Sequence, residues 1–475
     1  MHNTNSADTY DKGEFSSLFY PQSIALVGVS REMKAGRILL KAILEAGYNG
    51  PIYPINPKMK EVEGIKVYPD VASVDGPIDM AIILVSNSMV ENVLRRCSLK
   101  KTRVAVIYSA GYSDLGTSEG RDREQKLVSL SRRLGIRLLG PNCMGVYNPS
   151  HGISFLPSLS RTSGKIGFIS QSGSLANLLC LVANVCHMYF SQAVSIGNEC
   201  DLRTHDFMNY FCQDDNTDIV GLYIEGPTDG YQFMTALRQL CQKKPAVIWK
   251  AGLSREGGKA VLSHTGGLAG DKRIWTSMLK QTGAISVTGF EDMLDTLAAF
   301  YYPPKLSGRK VAVITGQGGL AVASADACAR HGLELASLDP DTTTRLTSIL
   351  SASGTSLRNP IDIGLEGAMD IDQYGSVVKA VASDPQVDLI FTIGSPLSAE
   401  FNRDYVHTLV AIRNEYGLPV INISCPGSPP EFAKESCAAG IHAFPSPERA
   451  MKAYSNVLKY LQFKETQAIS EIDRE

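Results

Sequence analysis

One histidine, one carboxylate and three small-residue turns are the parts of this sequence that can do chemistry. The segment GGKAVLSHTGGLAG (257–270) sets His264 between Ser263 and Thr265 with glycines on both sides. That spacing predicts a flexible, exposed loop. An imidazole there is either an inert surface group or a nucleophile, uncharged near neutral pH. Glu225 ends the apolar run DIVGLYIE (218–225) and precedes Gly226-Pro227. The C-terminal end of a parallel strand is where α/β sites form. A carboxylate at that point is either solvated or hydrogen-bonds one imidazole nitrogen, fixing the tautomer and leaving the other to attack phosphorus.

The turns are anion sites in the same sense. Ser170-Gln171-Ser172-Gly173-Ser174 joins KIGFIS (165–170) to the helical pattern SLANLLCLVANVC (174–186). Gly316-Gln317-Gly318-Gly319 joins KVAVIT (310–315) to LAVASADACARHG (320–332). Successive backbone N–H groups at a helix start hold a phosphate; each turn is alternatively an ordinary helix cap. Two such turns, each opening a separate domain, predict one anion held between two helix N-termini. A third turn, Gly28-Val29-Ser30, follows the first apolar run, SIALVGV (23–29). It is not a GxGxxG fingerprint, and it suits a nucleotide or coenzyme A (CoA) phosphate, or simply a tight turn.

The elements that must position these groups alternate. Short apolar runs at 52–56, 79–85, 103–109 and 136–142 are separated by helical patterns, which predicts a parallel, doubly wound α/β sheet. The pattern restarts at 165 and at 310, so three units are expected, at 15–150, 160–300 and 308–462. The polar tail after about Lys459 is expected to fray.

Composition excludes several classes. The 475 residues suit roughly three domains, and 44% hydrophobic with 20% charged residues is ordinary for a folded chain. Forty-six basic against 48 acidic residues leave a formal net charge of −2, with no basic footprint for nucleic acid and no polybasic run for a membrane surface. The 10 cysteines have no CxxC spacing and read as reduced thiols. The polar N-terminus lacks the apolar stretch of a signal peptide, and no apolar run approaches the ~20 residues of a membrane helix. The expectation is a cytoplasmic, soluble protein.

Taken together, SIALVGVS with NPK (56–58), SAGYSD (109–114), LGPNCMG (139–145), GFISQSGSLA (167–176), IEG (224–226), SHTGGLAG (263–270), GQGGLAVASAD (316–326), NPIDIG (359–364) and FPSPERA (444–450) resemble, in this order, the α subunit of NDP-forming acyl-CoA synthetases. That is the succinyl-CoA synthetase superfamily, and the ADP-forming acetyl-CoA synthetase type is the nearest pattern. The resemblance implies a Rossmann-like CoA-binding domain followed by two flavodoxin-like ligase domains. It implies that acyl-CoA, phosphate and ADP interconvert with carboxylic acid, CoA and ATP through an acyl phosphate and a phosphohistidine. His264 matches the phosphorylated histidine and Glu225 the carboxylate that holds it. The turns at 170–174 and 316–319 match the two phosphate-binding helix starts. Gly28, Ser30, Arg31, Lys58, Ser86, Ser109, Ala110 and Gly111 match CoA-contact positions, and no resident metal is implied.

Two departures qualify the match. No ATP-grasp domain follows the third unit, which implies a separate ATP-grasp β subunit carrying ATP or ADP with Mg, in an assembly of two α and two β subunits. Asn177 stands where succinyl-CoA synthetases carry tyrosine after the serine turn, which argues against succinate. Rival readings are a CoA-linked acyl- or carbamoyltransferase that works without ATP, and a non-catalytic CoA-sensing subunit. The His264–Glu225 pair argues against the first, and intact phosphate turns argue against the second. A dehydrogenase is disfavoured because NPK stands where the ribose-binding acid would be.

Overall fold

The computed structural model describes residues 12–265, 270–302, 306–350, 355–394, 398–424 and 428–472. They form two compact units. One comprises the chain up to Leu181 with Tyr189–Thr282; the other comprises Val182–Met188 with the chain from Gly283 onward.

In the first unit, helix α1 (Lys12–Phe19) precedes a sheet of β1 (Ile24–Val27), β2 (Ile52–Ile55), β3 (Met80–Ile83), β4 (Val104–Ile107) and β5 (Arg137–Leu139). The strand order is β2-β1-β3-β4-β5 and every pairing is parallel. Helices α2 (Ala35–Ala46) and α3 (Asn87–Ser98) follow β1 and β3. Strands β1, β3 and β4 are buried along their whole length, as expected for a sheet covered on both faces. Helix α2 buries Leu39, Leu40, Ala42 and Ile43 and ends where Gly47 turns left-handed at φ 86°, a conformation that favours glycine.

A second sheet follows, built from β6 (Gly145–Tyr147), β7 (Ile166–Ser170), β8 (Phe190–Ser195), β9 (Ile219–Ile224) and β10 (Ala246–Lys250) in the order β10-β9-β7-β8-β6. Only β6 is antiparallel among these pairings. Its helices include α4 (Gly173–Val185), α5 (Thr204–Gln213), α6 (Arg255–Thr265) and α7 (Lys272–Thr282). Both ends of the first segment reach into this layer. β6 pairs with β8. Phe15 and Phe19 of α1 stack on Tyr210 of α5, with ring centroids 4.8 and 5.0 Å apart. Aromatic pairs of this kind bury large areas, and they hold the two sheets in one unit.

The second unit contains helix α8 (Phe290–Tyr301). Its sheet is β11 (Lys310–Thr315), β12 (Glu334–Leu335), β13 (Ile361–Asp362), β14 (Leu389–Gly394), β15 (Val420–Ser424) and β16 (Ala443–Phe444). The order is β12-β11-β14-β15-β16, with β13 beside β11, all parallel. Helices α9 (Gly318–His331), α10 (Pro430–Ala438) and α11 (Pro447–Ile472) complete the unit as used below. The tail expected to fray is the second half of α11. Met451, Tyr454 and Leu458 recur at helical spacing and are buried, and α11 packs on α8 and α9. Phe463 covers Gly283 so closely that a Cβ there would lie 2.3 Å from its ring. The helix persists because its apolar stripe has a surface to bury against, although its average composition is polar.

Arg449 of α11 grips the buried Asp295 of α8 with two hydrogen bonds of 2.6 and 2.9 Å. His442 beside them is 7% exposed. Burial, with the Arg449 charge adding to it, lowers its pKa to about 4. Between that value and the ordinary 6.5 the unfolded chain binds a proton that the folded chain does not, so stability falls as pH falls through this window. The expected loss at pH 5 relative to pH 7 is about 2 kcal/mol from this group. Urea unfolding followed by circular dichroism checks it: His442→Gln should flatten that part of the slope, and an unchanged slope would refute it.

Candidate active site

The serine turn is built around a side chain that points inward. Ser170, wholly buried at the end of β7, donates its hydroxyl proton to the Ser172 carbonyl at 2.7 Å and accepts from the Ser172 N–H at 3.2 Å. The turn thereby delivers Gly173 as the first residue of α4, with the Ser172 and Ser174 hydroxyls 3.3 Å apart at the helix start. Glycine is required at 173, because a Cβ would lie 2.7 Å from Met144 Cγ. Gln171, expected to line the phosphate, instead turns its side chain into the protein. Its Oε1 accepts from the Glu225 N–H and from the Gly226 N–H at 3.0 Å. Its Nε2 donates to the Gly226 carbonyl at 2.9 Å and to Glu199 Oε1 at 2.6 Å. The side chain turns inward because the loop after β9 has two N–H groups and a carbonyl unpaired by the sheet, and a carboxamide satisfies all three.

Glu225 follows the last residue of β9 and is only 4% exposed, which excludes the solvated alternative. The Tyr223 hydroxyl donates to its Oε1 at 3.3 Å. Lys250, at the end of β10, donates to the Glu225 carbonyl at 2.7 Å and sits 5.3 Å from the centre of the Trp275 ring. Burial takes the Lys250 pKa down to about 8, against the raising effect of the Glu225 charge. Glu199 accepts from Gln171 and from the Thr204 hydroxyl, and burial raises its pKa. Sequence reasoning missed Glu199 and Lys250, since neither lies in a motif.

His264 is in helix α6 rather than a loop. The upstream glycines serve the helix start: the Gly257 N–H donates to Ser254 Oγ at 2.9 Å, and a Cβ on Gly257 would meet Gly252 Cα at 3.2 Å. The side chain of His264 and residues 266–269 lie outside the described residues. Helix α6 packs against the short turn Ser113–Leu115, which follows the Ser109–Gly111 loop.

The glycine turn of the second unit repeats the serine turn's logic. Thr315 Oγ1 accepts from the Gln317 N–H at 3.0 Å, and α9 starts at Gly318. A Cβ on Gly316 would sit 2.3 Å from the Ala368 methyl, whereas nothing approaches Gly319. A Cβ on Gly318 would meet Asp362 Oδ2 at 3.1 Å, so Gly319 is the open position at this helix start.

The eight CoA-contact candidates share one rim, the C-terminal edge of the first sheet. Gly28, Ser30 and Arg31 follow β1, Lys58 follows β2, Ser86 follows β3, and Ser109, Ala110 and Gly111 follow β4. The order in which strands are added reverses between β1 and β3, and such switch points are where α/β sheets bind ligands. Gly28 is left-handed at φ 103°, and a Cβ on it would lie 3.1 Å from the Leu84 backbone. Two asparagines tie the rim together. Asn56 donates to the Val29 carbonyl at 2.6 Å and accepts from the Lys58 N–H at 2.8 Å. Asn87 donates to the Ala110 and Gly111 carbonyls at 3.4 Å. The Ser30 hydroxyl is engaged with the Glu32 carbonyl at 2.8 Å, while Arg31 and Lys58 are exposed. Gly36 is a further missed residue: its Cβ would stand 2.5 Å from the Gly28 carbonyl oxygen. Gly36→Ala is expected to cost about 1–3 kcal/mol and to weaken CoA binding. Gly230→Ala, where the space is open, should do neither. Melting curves and calorimetric CoA titrations check both.

Among the described residues no helix is long and apolar enough to cross a membrane. A CoA binding domain family model matches residues 22–149, and a succinyl-CoA ligase like flavodoxin domain model matches residues 163–300. The chain is 33% identical to the acetate–CoA ligase [ADP-forming] I subunit alpha of Pyrococcus furiosus over 94% of this chain and 98% of that one. It is 37% identical to the acetate–CoA ligase [ADP-forming] of Methanocaldococcus jannaschii over 74% of this chain, but spans only 49% of that longer protein. Its fold superposes on the dinucleotide forming acetyl-coenzyme A synthetase 1 of Ca. Korarchaeum cryptofilum, in complex with phosphate and ADP, with a TM-score of 0.87, 30% identity and coverage of 96% and 99% of the two chains. The chain belongs to the ADP-forming acetate–CoA ligase family, on the α-subunit side.

Proposed function

We propose that this chain is the α component of an ADP-forming acyl-CoA synthetase, interconverting acyl-CoA, phosphate and ADP with carboxylic acid, CoA and ATP. The observation that carries the reading is Gln171, which belongs to the serine turn and holds the Glu225 backbone in place. A phosphate turn and a buried carboxylate are thus one construction. In this reading CoA occupies the rim from Gly28 to Gly111, and the domain within 15–150 binds it. Phosphate held at the serine turn, where the start of α4 supplies N–H groups and positive dipole, attacks the acyl-CoA carbonyl and displaces CoA as its thiol, leaving an acyl phosphate whose phosphoryl group passes on as the carboxylate leaves. The glycine turn of the segment at 308–462 is a second helix start of the same construction. His264 takes the phosphoryl group and Glu225 steadies the charged ring.

Phosphoryl transfer needs positioning and charge stabilisation rather than covalent help beyond the nucleophile. The nucleotide, with Mg, is assigned to a separate ATP-grasp β subunit, in an assembly of two α and two β subunits. Asn177, one turn into α4, argues against succinate, and acetate in the relatives' names makes a small acid the first to test. The test is co-purification with that subunit, followed by a screen of carboxylic acids for CoA-dependent ADP release. Acyl-CoA formation that needs ATP and both subunits is the expected result. Acyl transfer without ATP would overturn the reading in favour of a transferase.

A further inference from the structure

The segment Gly197–Leu202 leaves the second sheet at the end of β8 and runs along the edge of the first. The Asn198, Cys200 and Leu202 N–H groups donate to the Pro141, Gly140 and Leu138 carbonyls at 3.0, 3.1 and 3.1 Å. Gly197 lies so close that a Cβ on it would stand 2.2 Å from the Pro141 carbonyl oxygen. Two adjacent side chains on this seam reach different sites. Asn198 Nδ2 donates to Asp114 Oδ1 at 3.0 Å and to Glu124 Oε2 at 2.9 Å, which spends both protons of the carboxamide. Those carboxylates shape the loop after β4. Asp114 accepts from the Gly111 and Tyr112 N–H groups, each at 2.9 Å. Glu124 accepts from the Ser113 hydroxyl at 2.6 Å and from its N–H at 3.2 Å. Glu199 instead accepts from Gln171 Nε2 at 2.6 Å, and Gln171 holds the Glu225 and Gly226 N–H groups. The Glu199 backbone is left-handed at φ 57°, a sparse region for any residue but glycine, kept where the surroundings fix it. We propose that Asn198 is a positioning residue that keeps the CoA rim in register with the phosphate turn, so that CoA sulfur, acyl carbon and phosphate meet.

The role rests on the acyl-CoA synthetase function proposed above. In the direction of acyl-CoA formation, the phosphoryl group passes from the His264 ring to an oxygen of the carboxylic acid. The CoA sulfur then attacks the acyl carbon, loses its proton and displaces phosphate. The first transfer belongs to the serine turn and needs nothing from the CoA rim. The second needs a thiol held from one sheet to reach a carbon held from another, where a misplacement of about 1 Å costs about 10²-fold. From the Gly111 N–H to the Glu225 N–H the path runs through Asp114, Asn198, Glu199 and Gln171. Each step is a hydrogen bond except the peptide bond between Asn198 and Glu199. Asn142 donates to Asn198 Oδ1 at 3.5 Å, and Arg123 donates to the Gly111 carbonyl. Arg123 and Glu124 both come from the helix Ser118–Leu134. Loss of the Asn198 carboxamide takes from Asp114 and Glu124 the donor they share and loosens the loop they hold. Gln171 and Glu225 keep their bonds, so the two transfers respond differently.

The full chain with its ATP-grasp subunit is charged with γ-labelled ATP, freed of nucleotide, and given acetate in two arms. One arm contains hydroxylamine, which traps acyl phosphate as a hydroxamate; the other contains saturating CoA. Asn198→Leu and Asn198→Asp are expected to take up label and to form hydroxamate within about 2-fold of wild type, and to form acyl-CoA about 10-fold to 10²-fold more slowly. Asn198→Asp keeps the side-chain volume and sets a third carboxylate against Asp114 and Glu124, so the result does not depend on leucine being tolerated. A general loss of structure would lower both arms together, and equal losses in the two arms overturn the proposal. So does acyl-CoA formation at the wild-type rate in both variants. A wild-type complex that takes up no label would overturn the synthetase function itself, and this role with it.

Discussion

His264→Ala chains, mixed with the ATP-grasp subunit, Mg²⁺ and γ-labelled ATP, will take up no acid-labile phosphoryl label and will turn over no acid. Removing an enzyme's nucleophile commonly lowers kcat by about 10⁴–10⁶-fold, so residual turnover should fall below detection. The change is mild for the fold, since His264 lies in helix α6 and alanine is the best helix former. CoA binding should survive, because the rim at Gly28, Ser86 and Gly111 belongs to a different sheet. Glu225→Gln makes the same case at smaller amplitude. It keeps the volume and the backbone bonds to Gln171, removes the charge that steadies a phosphorylated ring, and should slow labelling about 10²-fold, within the range of a positioned acid–base or electrostatic group. Undiminished labelling of His264→Ala would move the phosphoryl chemistry to another residue and remove the central assignment. CoA-dependent acyl transfer retained in that variant without ATP would instead favour the transferase reading.

Gln171→Leu is the second large effect, and it tests a role seen only in the folded chain. Leucine matches the volume but can neither accept from the Glu225 and Gly226 N–H groups nor donate to Glu199 and the Gly226 carbonyl. Gln171 is 8% exposed, so water does not readily replace it. Each buried group left unpaired costs about 1–3 kcal/mol, and the summed loss is expected near 3–5 kcal/mol, large against the typical stability of about 5–15 kcal/mol. Gln171→Glu should be at least as damaging, because it sets a second carboxylate against the buried Glu199. Labelling of His264 should slow with the loss of Glu225 positioning, even in conditions where the variant remains folded. A Gln171→Leu chain that melts and labels like wild type would leave the turn and the carboxylate as separate features.

The boundary between what could be read and what could not follows the range of the interactions. Runs such as Ile24–Val27, Ile166–Ser170 and Lys310–Thr315 were legible as strands, and the turns after them as helix starts, because alternation, apolar length and small residues are local signals. The ordered motifs together pointed to the family before any contact was known. The polar stretch after Lys459 misled because a helix reading there depends on what Phe463 meets, and that is Gly283, nearly two hundred positions away. The glycines near His264 misled in the opposite direction: Gly257 is small to clear Gly252 at the first turn of α6, not to loosen a loop. Gln171 reads in the chain as part of a phosphate turn, and only the placement of β7 beside β9 aims its carboxamide at Glu225 and Gly226. Glu225 is buried rather than solvated for the same reason. A hydrogen bond depends on position to a few tenths of an ångström, and the chain's covalent order carries that information only across a turn or two. Beyond that distance, packing of the sheets decides which polar groups meet.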